Sequence, residues 1–506
     1  MAWRPERATR CGTRSVRVLE TLMNLVDELN TRTRLGRRKA PLGVIFFALT
    51  ACGGALEAEL PAAPSSPPPP ALRYEIRGAD DEHLRDVEVC FQGFTTRRFV
   101  LLEGDGIVSA TREGQPLVVE KGKGFALDAD VTPTCARYRV RLTPSVRPGF
   151  VHDATLLARP LDAPASTAVR IHVRESAGPV VTPFEVDEGA YVPRPSFLER
   201  STTWVYGEGA RLLLRDVDGV ELRLVILPGQ KRIPDEVLEA HLVRSLELAR
   251  SLAPARYPER VLVAVAPSPV SAGNPPIAFG LARRGGGASV LFVLDEDADE
   301  EALAREDWVS VHELAHFAFP AIPRSEAWLT EGWATYFQEV LRARGGLISP
   351  EDAWLRLHRG FAKSQHDGTG RPLHEEALAM YETYAFKRVY WAGAATALED
   401  DVALRLRGSR LEEALSRVFE GEPFDRWIEF SDYVARLEAS GHADLAERAR
   451  EVRSGTGVPD LSAVYATLGL EARGGSLELD DSAELVSVRR AIVRGDASAP
   501  SALRPR

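Results

Sequence analysis

The sequence predicts a multidomain α+β protein with a β-rich N-terminal domain, an α/β middle domain and a helical C-terminal domain. Apolar and polar residues alternate with period two over residues 72–229, which is typical of strands. The period then changes to that of helices and short apolar strands, and helical periodicity dominates residues 350–453. At 506 residues, 44% of them hydrophobic, the chain is long enough to bury several cores.

The first 52 residues have the layout of an export signal. An Arg-Arg-Lys cluster at 37–39 precedes the apolar segment 41–51, which is too short to span a bilayer as a helix. The tetrapeptide LTAC that ends at Cys52 resembles a bacterial lipobox, whose cysteine carries the lipid. We therefore expect an exported protein of the cell envelope, in the periplasm or on the outer surface, anchored to the membrane through Cys52.

A plain secretory signal or a buried strand is the alternative interpretation of the leader, and Met23 is a second candidate for the start of translation. An unprocessed Met1 in the mature protein would exclude export by this route. Residues 53–71 are rich in Ala, Pro and Ser and contain four consecutive prolines, which predicts an extended tether.

The charge of the chain argues against nucleic acid as a partner. The net charge is -10, and after residue 51 the chain carries 53 basic and 69 acidic residues, a net of -16. An acidic body repels phosphate backbones and anionic lipid headgroups.

The β-rich domain, residues 72–230, contains two cysteines. In an oxidising compartment Cys90 and Cys135 could pair, or both could remain free thiols, and the sequence leaves this open. His172 lies in an alternating segment with no second ligand at useful spacing, so we interpret it as a solvated strand residue.

The middle domain, residues 231–346, begins with a helix that has Pro234 in its first turn. Two apolar strands at 260–266 and 288–294 follow, with a triglycine turn before the second. A helical domain at 347–453 and a tail at 454–506 complete the chain, and the tail has two strand-like runs at 476–479 and 485–488.

The motif HELAH at 312–316 gives the middle domain its chemistry. His312 and His316 are four residues apart, so on a helix both imidazoles lie on one face and can reach one cation, for which zinc is the natural candidate. Glu331 lies on a second helix, at 326–344, that returns after a short loop and can complete a two-histidine site with a fourth position open for water. Glu313 is rotated about 100° from His312 and points toward that water.

The ends of these two helices also have sequence signals. Glu306 and Asp307 suit the positive end of the first helix dipole, and Ser325 is a possible N-cap of the second helix. The first helix must end at Pro320, and its back forms an apolar stripe of Trp308, Val311, Ala315 and Ala318.

The segments HELAH and WLTEGWATYF resemble the gluzincin metallopeptidases of peptidase clan MA, particularly the aminopeptidase N-like and glycyl aminopeptidase-like families. The resemblance implies a thermolysin-like α/β zinc catalytic domain, with His312, His316 and Glu331 as Zn²⁺ ligands and Glu313 as general base. The implied activity is hydrolysis of peptide bonds in a peptide or protein substrate through a metal-activated water.

The segment VYWAGA at 389–394 resembles the Tyr-x-Lys-Gly-Ala segment of these families, whose tyrosine stabilises the oxyanion. By this resemblance Tyr390 has that role; Tyr384 is the second candidate, and a core aromatic residue is the structural alternative. Ala392 replaces the family's lysine, and the 14 residues between His316 and Glu331 are several fewer than the family has.

A further departure concerns the substrate. Aminopeptidase N-like enzymes carry Gly-Ala-Met-Glu-Asn on the strand beside the substrate, and its glutamate holds the free amine. This chain has FGLARR at 279–284 with no acid, which places aminopeptidase activity in doubt. Arg283 and Arg284 could favour a carboxylate group of the substrate, although a solvated turn is the preferred interpretation.

Two other functions stay open. The chain could be a non-catalytic, surface-anchored binding lipoprotein on a metallopeptidase-like fold, or a metal hydrolase of a non-peptide amide or ester. His358, His366 and His374 could line the cleft, but we interpret them as surface-loop histidines. The oligomeric state is not predicted.

Overall fold

The computed structural model describes residues 68–495, except 82, 128–133, 143–148, 176–177, 208, 272, 366–367 and 474. The predicted export signal, its Cys52 and residues 53–67 of the predicted tether lie outside the described residues. Within the described ranges, no helix is long and apolar enough to cross a membrane.

The N-terminal region is β-rich, as the alternation predicts. It contains fifteen strands, a short helix α1 and a 3₁₀ turn at Pro195–Leu198 among the described residues. The bounds are β1 (Ala71–Gly78), β2 (Leu84–Gln92), β3 (Arg98–Val100), β4 (Ile107–Arg112), β5 (Gln115–Pro116), β6 (Val119–Glu120), β7 (Gly124–Ala126), β8 (Thr134–Arg141), β9 (Phe150–His152), α1 (Asp153–Leu156), β10 (Arg159–Pro160), β11 (Ala168–Val173), β12 (Val180–Val181), β13 (Glu185–Asp187), β14 (Ala190–Val192) and β15 (Thr203–Tyr206).

These strands form three sheets. The largest has the order β13-β14-β11-β1-β2-β8-β4-β5, and the smaller ones are β10-β3-β7-β6 and β12-β15-β9. Along β8 every second residue is buried, so period two in the sequence corresponds to one face on the core. Cys90 and Cys135 face each other on β2 and β8 and form a disulfide, which resolves the pairing that the sequence leaves open.

The middle sheet has the order β16-β17-β18-β20-β19. Its strands are β16 (Arg211–Val217), β17 (Val220–Ile226), β18 (Arg260–Ser268), β19 (Ile277–Arg283) and β20 (Ala288–Asp295). The inner strands β17, β18 and β20 are parallel, and the edge strands β16 and β19 are antiparallel to their neighbours. The sheet therefore includes two strands that precede the predicted boundary at residue 231, because alternation alone does not reveal which sheet a strand joins.

The triglycine at Gly285–Gly287 is one of the places where the N-terminal region contacts the middle sheet. A Cβ atom on Gly285 would lie 2.2 Å from the carbonyl oxygen of Arg200, and one on Gly286 would lie 2.7 Å from Cβ of Pro193. No side chain fits between these backbones. The run that the sequence marks as a turn is also a contact between two domains.

Helices cover the middle sheet and make up most of the remainder. Their bounds are α2 (Asp235–Arg250), α3 (Glu300–Glu306), α4 (Val309–Ala315), α5 (Ala327–Arg344), α6 (Pro350–Ser364), α7 (Leu373–Thr383), α8 (Phe386–Leu406), α9 (Leu411–Val418), α10 (Phe430–Ala439), α11 (Ala443–Ser454), α12 (Ser462–Leu468) and α13 (Val486–Arg494). Short 3₁₀ turns at His316–Ala318 and Arg324–Glu326 link α4 to α5.

Two local predictions are wrong. Ser325 does not cap α5, because its hydroxyl bonds the carboxylate of Glu326 within the 3₁₀ turn before the helix. The run at 485–488 is not a strand, because it opens α13, on which Val488 and Ile492 are both fully buried at helical spacing. The run at 476–479 is a strand, β22 (Ser476–Leu479), paired with β21 (Leu470–Arg473).

The helices α5 and α8 cross at a pair of glycines. A Cβ atom on Gly332 would lie 2.4 Å from Cα of Gly393, and one on Gly393 would lie 1.8 Å from the carbonyl oxygen of Trp328. The two backbones are therefore in direct contact. Glu331 is adjacent to Gly332, and Tyr390 lies one turn before Gly393, so the crossing sets how close these two side chains are.

We predict that Gly393→Ala destabilises the protein. Alanine gains about 1 kcal/mol of helix propensity over glycine, but the new Cβ atom overlaps backbone, and overpacking of this kind costs about 1–3 kcal/mol. Urea unfolding should show a lower midpoint. Gly457→Ala is the control, because no atom lies within 4 Å of its Cβ position. Equal midpoints for the two variants would contradict the close crossing.

Candidate metal centre

Three predicted ligands meet at one point. His312 lies on α4, His316 begins the following 3₁₀ turn, and Glu331 lies near the start of α5. Oε2 of Glu331 is 3.2 Å from Nε2 of His312 and 3.5 Å from Nε2 of His316. Among the described residues, this is the cluster of two histidines and a carboxylate whose ligand atoms all lie within 4.8 Å of one another.

The donor set fits a zinc ion. Two imidazole nitrogens and one carboxylate oxygen are typical of catalytic zinc sites, which leave the fourth position open. Nδ1 of His312 lies 2.9 Å from Oε1 of Gln338, and a hydrogen bond donated there leaves the lone pair of Nε2 facing Glu331. Both histidines are almost fully buried, so the site needs little reorganisation to bind an ion.

Gln338 was not found from the sequence. It lies seven residues after Glu331, two turns along the same face of α5, which is the signal that could have identified it. Its Nε2 atom donates to Glu339, which is paired with Arg342 at 2.9 Å. All three side chains are buried, so this chain of polar contacts holds the ring of His312 in one orientation.

The charges of the site are coupled. Burial by itself would raise the pKa of Glu331, but the charge of His316 and the hydrogen bonds from both imidazoles hold that pKa below its usual value. Burial would lower the pKa of His312, but the hydrogen bond to Glu331 and the charge of Glu313 raise it overall. Because an ion must displace the imidazole protons, its affinity falls as the pH falls.

Glu313 lies between α4 and the edge strand β19. Its Oε2 atom accepts a hydrogen bond of 2.9 Å from the backbone N–H of Ala282. A Cβ atom on Gly280 would lie 2.3 Å from Cγ of Glu313, so the glycine provides the space for this side chain. The carboxylate is therefore held beside the histidines without belonging to the ligand cluster.

Tyr390 rather than Tyr384 lies beside the histidines. The Tyr390 ring stacks on His312 with centroids 5.9 Å apart and planes 9° apart. Burial raises its pKa well above the usual value, and the charges of Glu331 and Glu313 raise it further, so the hydroxyl stays protonated at neutral pH. Tyr384 is 70% exposed and contacts Phe386.

The N-terminal end of α4 is held by Asp307. The carboxylate of Asp307 accepts from the N–H groups of Val309 and Ser310 and contacts His241 at 2.7 Å. Glu306 instead ends α3. The predicted apolar stripe is buried except for Trp308, which is half-buried and packs edge-on against His312.

Arg283 and Arg284 are neither solvated nor free to bind a substrate group, which corrects both interpretations from the sequence. Arg283 is buried and pairs with Glu103 at 2.5 Å and with the hydroxyl of Ser201. Arg284 donates to backbone carbonyls, including that of His316 at 2.6 Å. Arg283 is the last residue of β19 and Arg284 is the first residue after it, and the two side chains bind different parts of the fold.

Three other histidines singled out from the sequence, His172, His358 and His374, have neighbours outside the metal centre. His358 is buried on α6 against Tyr465, so its interpretation as a surface-loop residue is wrong. Nδ1 of His374 lies 3.0 Å from the carbonyl of Arg453. His172 is half-buried on β11 opposite Glu75, and His366 lies outside the described residues.

No family model matches the sequence, and no curated protein matches it significantly. Solved structures do match. An aminopeptidase N family protein from Idiomarina loihiensis is similar over 79% of this chain and 78% of that chain, with 16% identity and a TM-score of 0.58. An M1 zinc metallopeptidase from Deinococcus radiodurans is similar over 78% of this chain and 94% of that chain, with 20% identity and a TM-score of 0.48.

Aminopeptidase A from Legionella pneumophila, in complex with aspartic acid, is similar over 77% of this chain and 49% of that chain, with 12% identity and a TM-score of 0.49. Of these three scores, only the first is high enough to support a shared fold, and 16% identity shows the fold alone. The chain therefore has the mixed α/β fold of the Idiomarina loihiensis aminopeptidase N family protein, with a β-rich N-terminal region and a helical C-terminal region.

Proposed function

We propose that this protein is a zinc-dependent metallopeptidase with a thermolysin-like catalytic domain. The convergence of His312, His316 and Glu331 on one point supports this more than any other observation. The similar fold of the aminopeptidase N family protein from Idiomarina loihiensis is consistent with it.

The three ligands would hold Zn²⁺, which supplies Lewis acidity toward water and the scissile carbonyl. Glu313 takes a proton from the attacking water, whose oxygen forms the new bond to the carbonyl carbon. The same carboxylate then gives the proton to the leaving nitrogen as the C–N bond breaks. The N–H group of Ala282 donates to the Glu313 carboxylate and holds it beside the histidines.

Tyr390 has the chemistry for the developing oxyanion. Its raised pKa keeps the hydroxyl protonated, so it can donate a hydrogen bond when negative charge forms on the carbonyl oxygen. Stacking on His312 fixes the ring next to the ligands.

Glu313→Gln should abolish most of the activity and leave zinc binding intact. The amide keeps the shape of the side chain but cannot accept a proton, so we expect kcat/KM to fall by about 10²–10⁴-fold. Peptide hydrolysis and zinc content by atomic absorption measure the two effects. Glu306→Gln is the control, because Glu306 is exposed at the end of α3. A wild-type protein without stoichiometric zinc, or a Glu313→Gln variant with full activity, would overturn the proposal.

Tyr390→Phe should lower kcat by about 10²–10³-fold with little change in KM, because the lost hydrogen bond forms only as the transition state is reached. Steady-state kinetics on one peptide measure this. Tyr384→Phe is the matched control and should behave as wild type, since its side chain is 70% exposed. If Tyr384→Phe is the inactive variant instead, the oxyanion role belongs to that residue.

The sequence of β19 bears on whether the enzyme recognises the N-terminal amine of its substrate. Its sequence has no acid, and Glu103, which reaches this strand from the N-terminal region, is already paired with Arg283. Neither β19 itself nor Glu103 therefore offers a free carboxylate to a substrate ammonium. We propose that the enzyme does not require a free N-terminal amine.

Matched peptides with a free or an acetylated N-terminus test this. We expect kcat/KM values within about tenfold, whereas a site built around the amine discriminates by about 10⁴-fold. Product analysis by mass spectrometry gives the cleavage position as an internal check. A preference of more than about 100-fold for the free amine would contradict the proposal.

The same missing acid also suits a binding protein without catalytic activity. Zinc retained by a protein that cleaves nothing in a broad peptide library would favour that function. Turnover of amides or esters but not of peptides would favour the non-peptide hydrolase.

A further inference from the structure

The end of the metal helix α4 is capped by side chains rather than by more helix. The last carbonyls of a helix have no intrahelical partner, and Pro320 prevents further turns. Tyr257 donates to the carbonyl of Leu314 at 2.8 Å, and Arg256 donates to that of Ala318. The carbonyl of His316 accepts from Arg284 at 2.6 Å.

Arg284 binds three backbone carbonyls, more than Arg256 or Tyr257. Besides the His316 carbonyl it donates to Phe319 O at 2.8 Å and Phe424 O at 3.2 Å. One planar guanidinium thus joins the 3₁₀ turn that follows α4, the residue after that turn and the C-terminal region, which suits the forked geometry of arginine. Burial lowers its pKa to about 9, so the group remains charged at neutral pH.

The backbone of Arg284 is held on both sides. The residue follows the last residue of β19, and its successor Gly285 donates a backbone hydrogen bond of 2.9 Å to the carbonyl of Ser201. A Cβ atom on Gly285 would lie 2.2 Å from the carbonyl oxygen of Arg200, so the two backbones are close together. A fixed guanidinium fixes the carbonyl that it binds. The backbone of His316 is therefore held at the point where α-helix changes to 3₁₀ turn.

We propose that Arg284 is a positioning residue for the metal ligand His316, an inference that rests on the proposed zinc function. Gln338 holds His312 through its ring, and Arg284 holds His316 through its backbone. The two contacts together keep both Nε2 atoms close to the Glu331 carboxylate before an ion binds.

Electrostatics alone predicts the opposite effect of Arg284 on zinc affinity. A guanidinium near the site repels a divalent cation, so removing the charge would strengthen zinc binding if charge were the only effect. Positioning outweighs repulsion if removal weakens binding, since loss of a contact that orients a ligand typically costs about 10–100-fold in metal affinity. The direction of the change therefore separates the two effects.

The test compares zinc dissociation constants of the full chain and three variants by competition with a chromophoric chelator. Arg284→Met should bind zinc about 10–100-fold more weakly than wild type. Arg284→Lys keeps the charge but not the fork, and should lie between them. Arg256→Met is the matched control, because it loses a guanidinium at the same helix end without touching a ligand residue, and should stay within about threefold.

A second readout needs no metal. Hydrogen exchange of residues 312–319 in zinc-free protein should be faster in Arg284→Met than in Arg256→Met. Wild-type affinity in Arg284→Met or in Arg284→Lys, or tighter binding in either, would overturn the inference and leave the proposed function standing. Wild-type protein that binds no zinc would overturn the proposed function itself. If Arg284→Met does not fold, the lysine variant decides.

Discussion

The close crossing of α5 and α8 is the constraint on which the site depends. Glycines at 332 and 393 bring the two backbones into contact, and each glycine has a chemically important neighbour within one turn. Glu331 extends from one helix toward the histidines, and Tyr390 extends from the other to stack on His312. A side chain at the crossing would separate the helices and move the carboxylate and the phenol apart. The glycines of the two sequence motifs are thus explained by packing, and the residues beside them by chemistry.

Periodicity was sufficient to predict that His312 and His316 lie together, and their side chains do meet near Glu331. Two histidines four residues apart on a helix must share a face, and the glutamate was reached by the short return of the chain and by resemblance. Gln338 obeys the same rule at seven residues from Glu331, and only the lack of an acidic or metal-binding side chain hid it. The short apolar run at 485–488 was misread because four residues are too few to separate a strand from a buried helix.

Other features of the fold are not indicated by any local pattern in the sequence. Alternation identifies β16 and β17 as strands but not as members of the middle sheet, which depends on hydrogen bonds to β18 far along the chain. The partners of Arg283 and Arg284 are even harder to predict from the sequence. One is a carboxylate 180 residues away, and the others are backbone carbonyls, which every residue possesses. Sequence suggested either solvent or substrate for these two arginines, whereas the fold uses both to join its parts.

Strand β19 contacts both the Glu313 side chain and the N-terminal region. Its Ala282 N–H holds the carboxylate of Glu313, its Gly280 makes room for that side chain, and its last residue binds Glu103 of the N-terminal region. Pairing with β20 holds the strand from Phe279 to Arg283, so the position of the Glu313 side chain and the contact with the N-terminal region depend on the same element. Burial by itself would raise the pKa of Glu103, but the charge of Arg283 and hydrogen bonds from Arg283 and Ser201 hold that pKa below its usual value, so the carboxylate stays charged in this pair. The pair also anchors the end of the strand that carries Gly280 and Ala282, so it links the position of the Glu313 side chain to the N-terminal region.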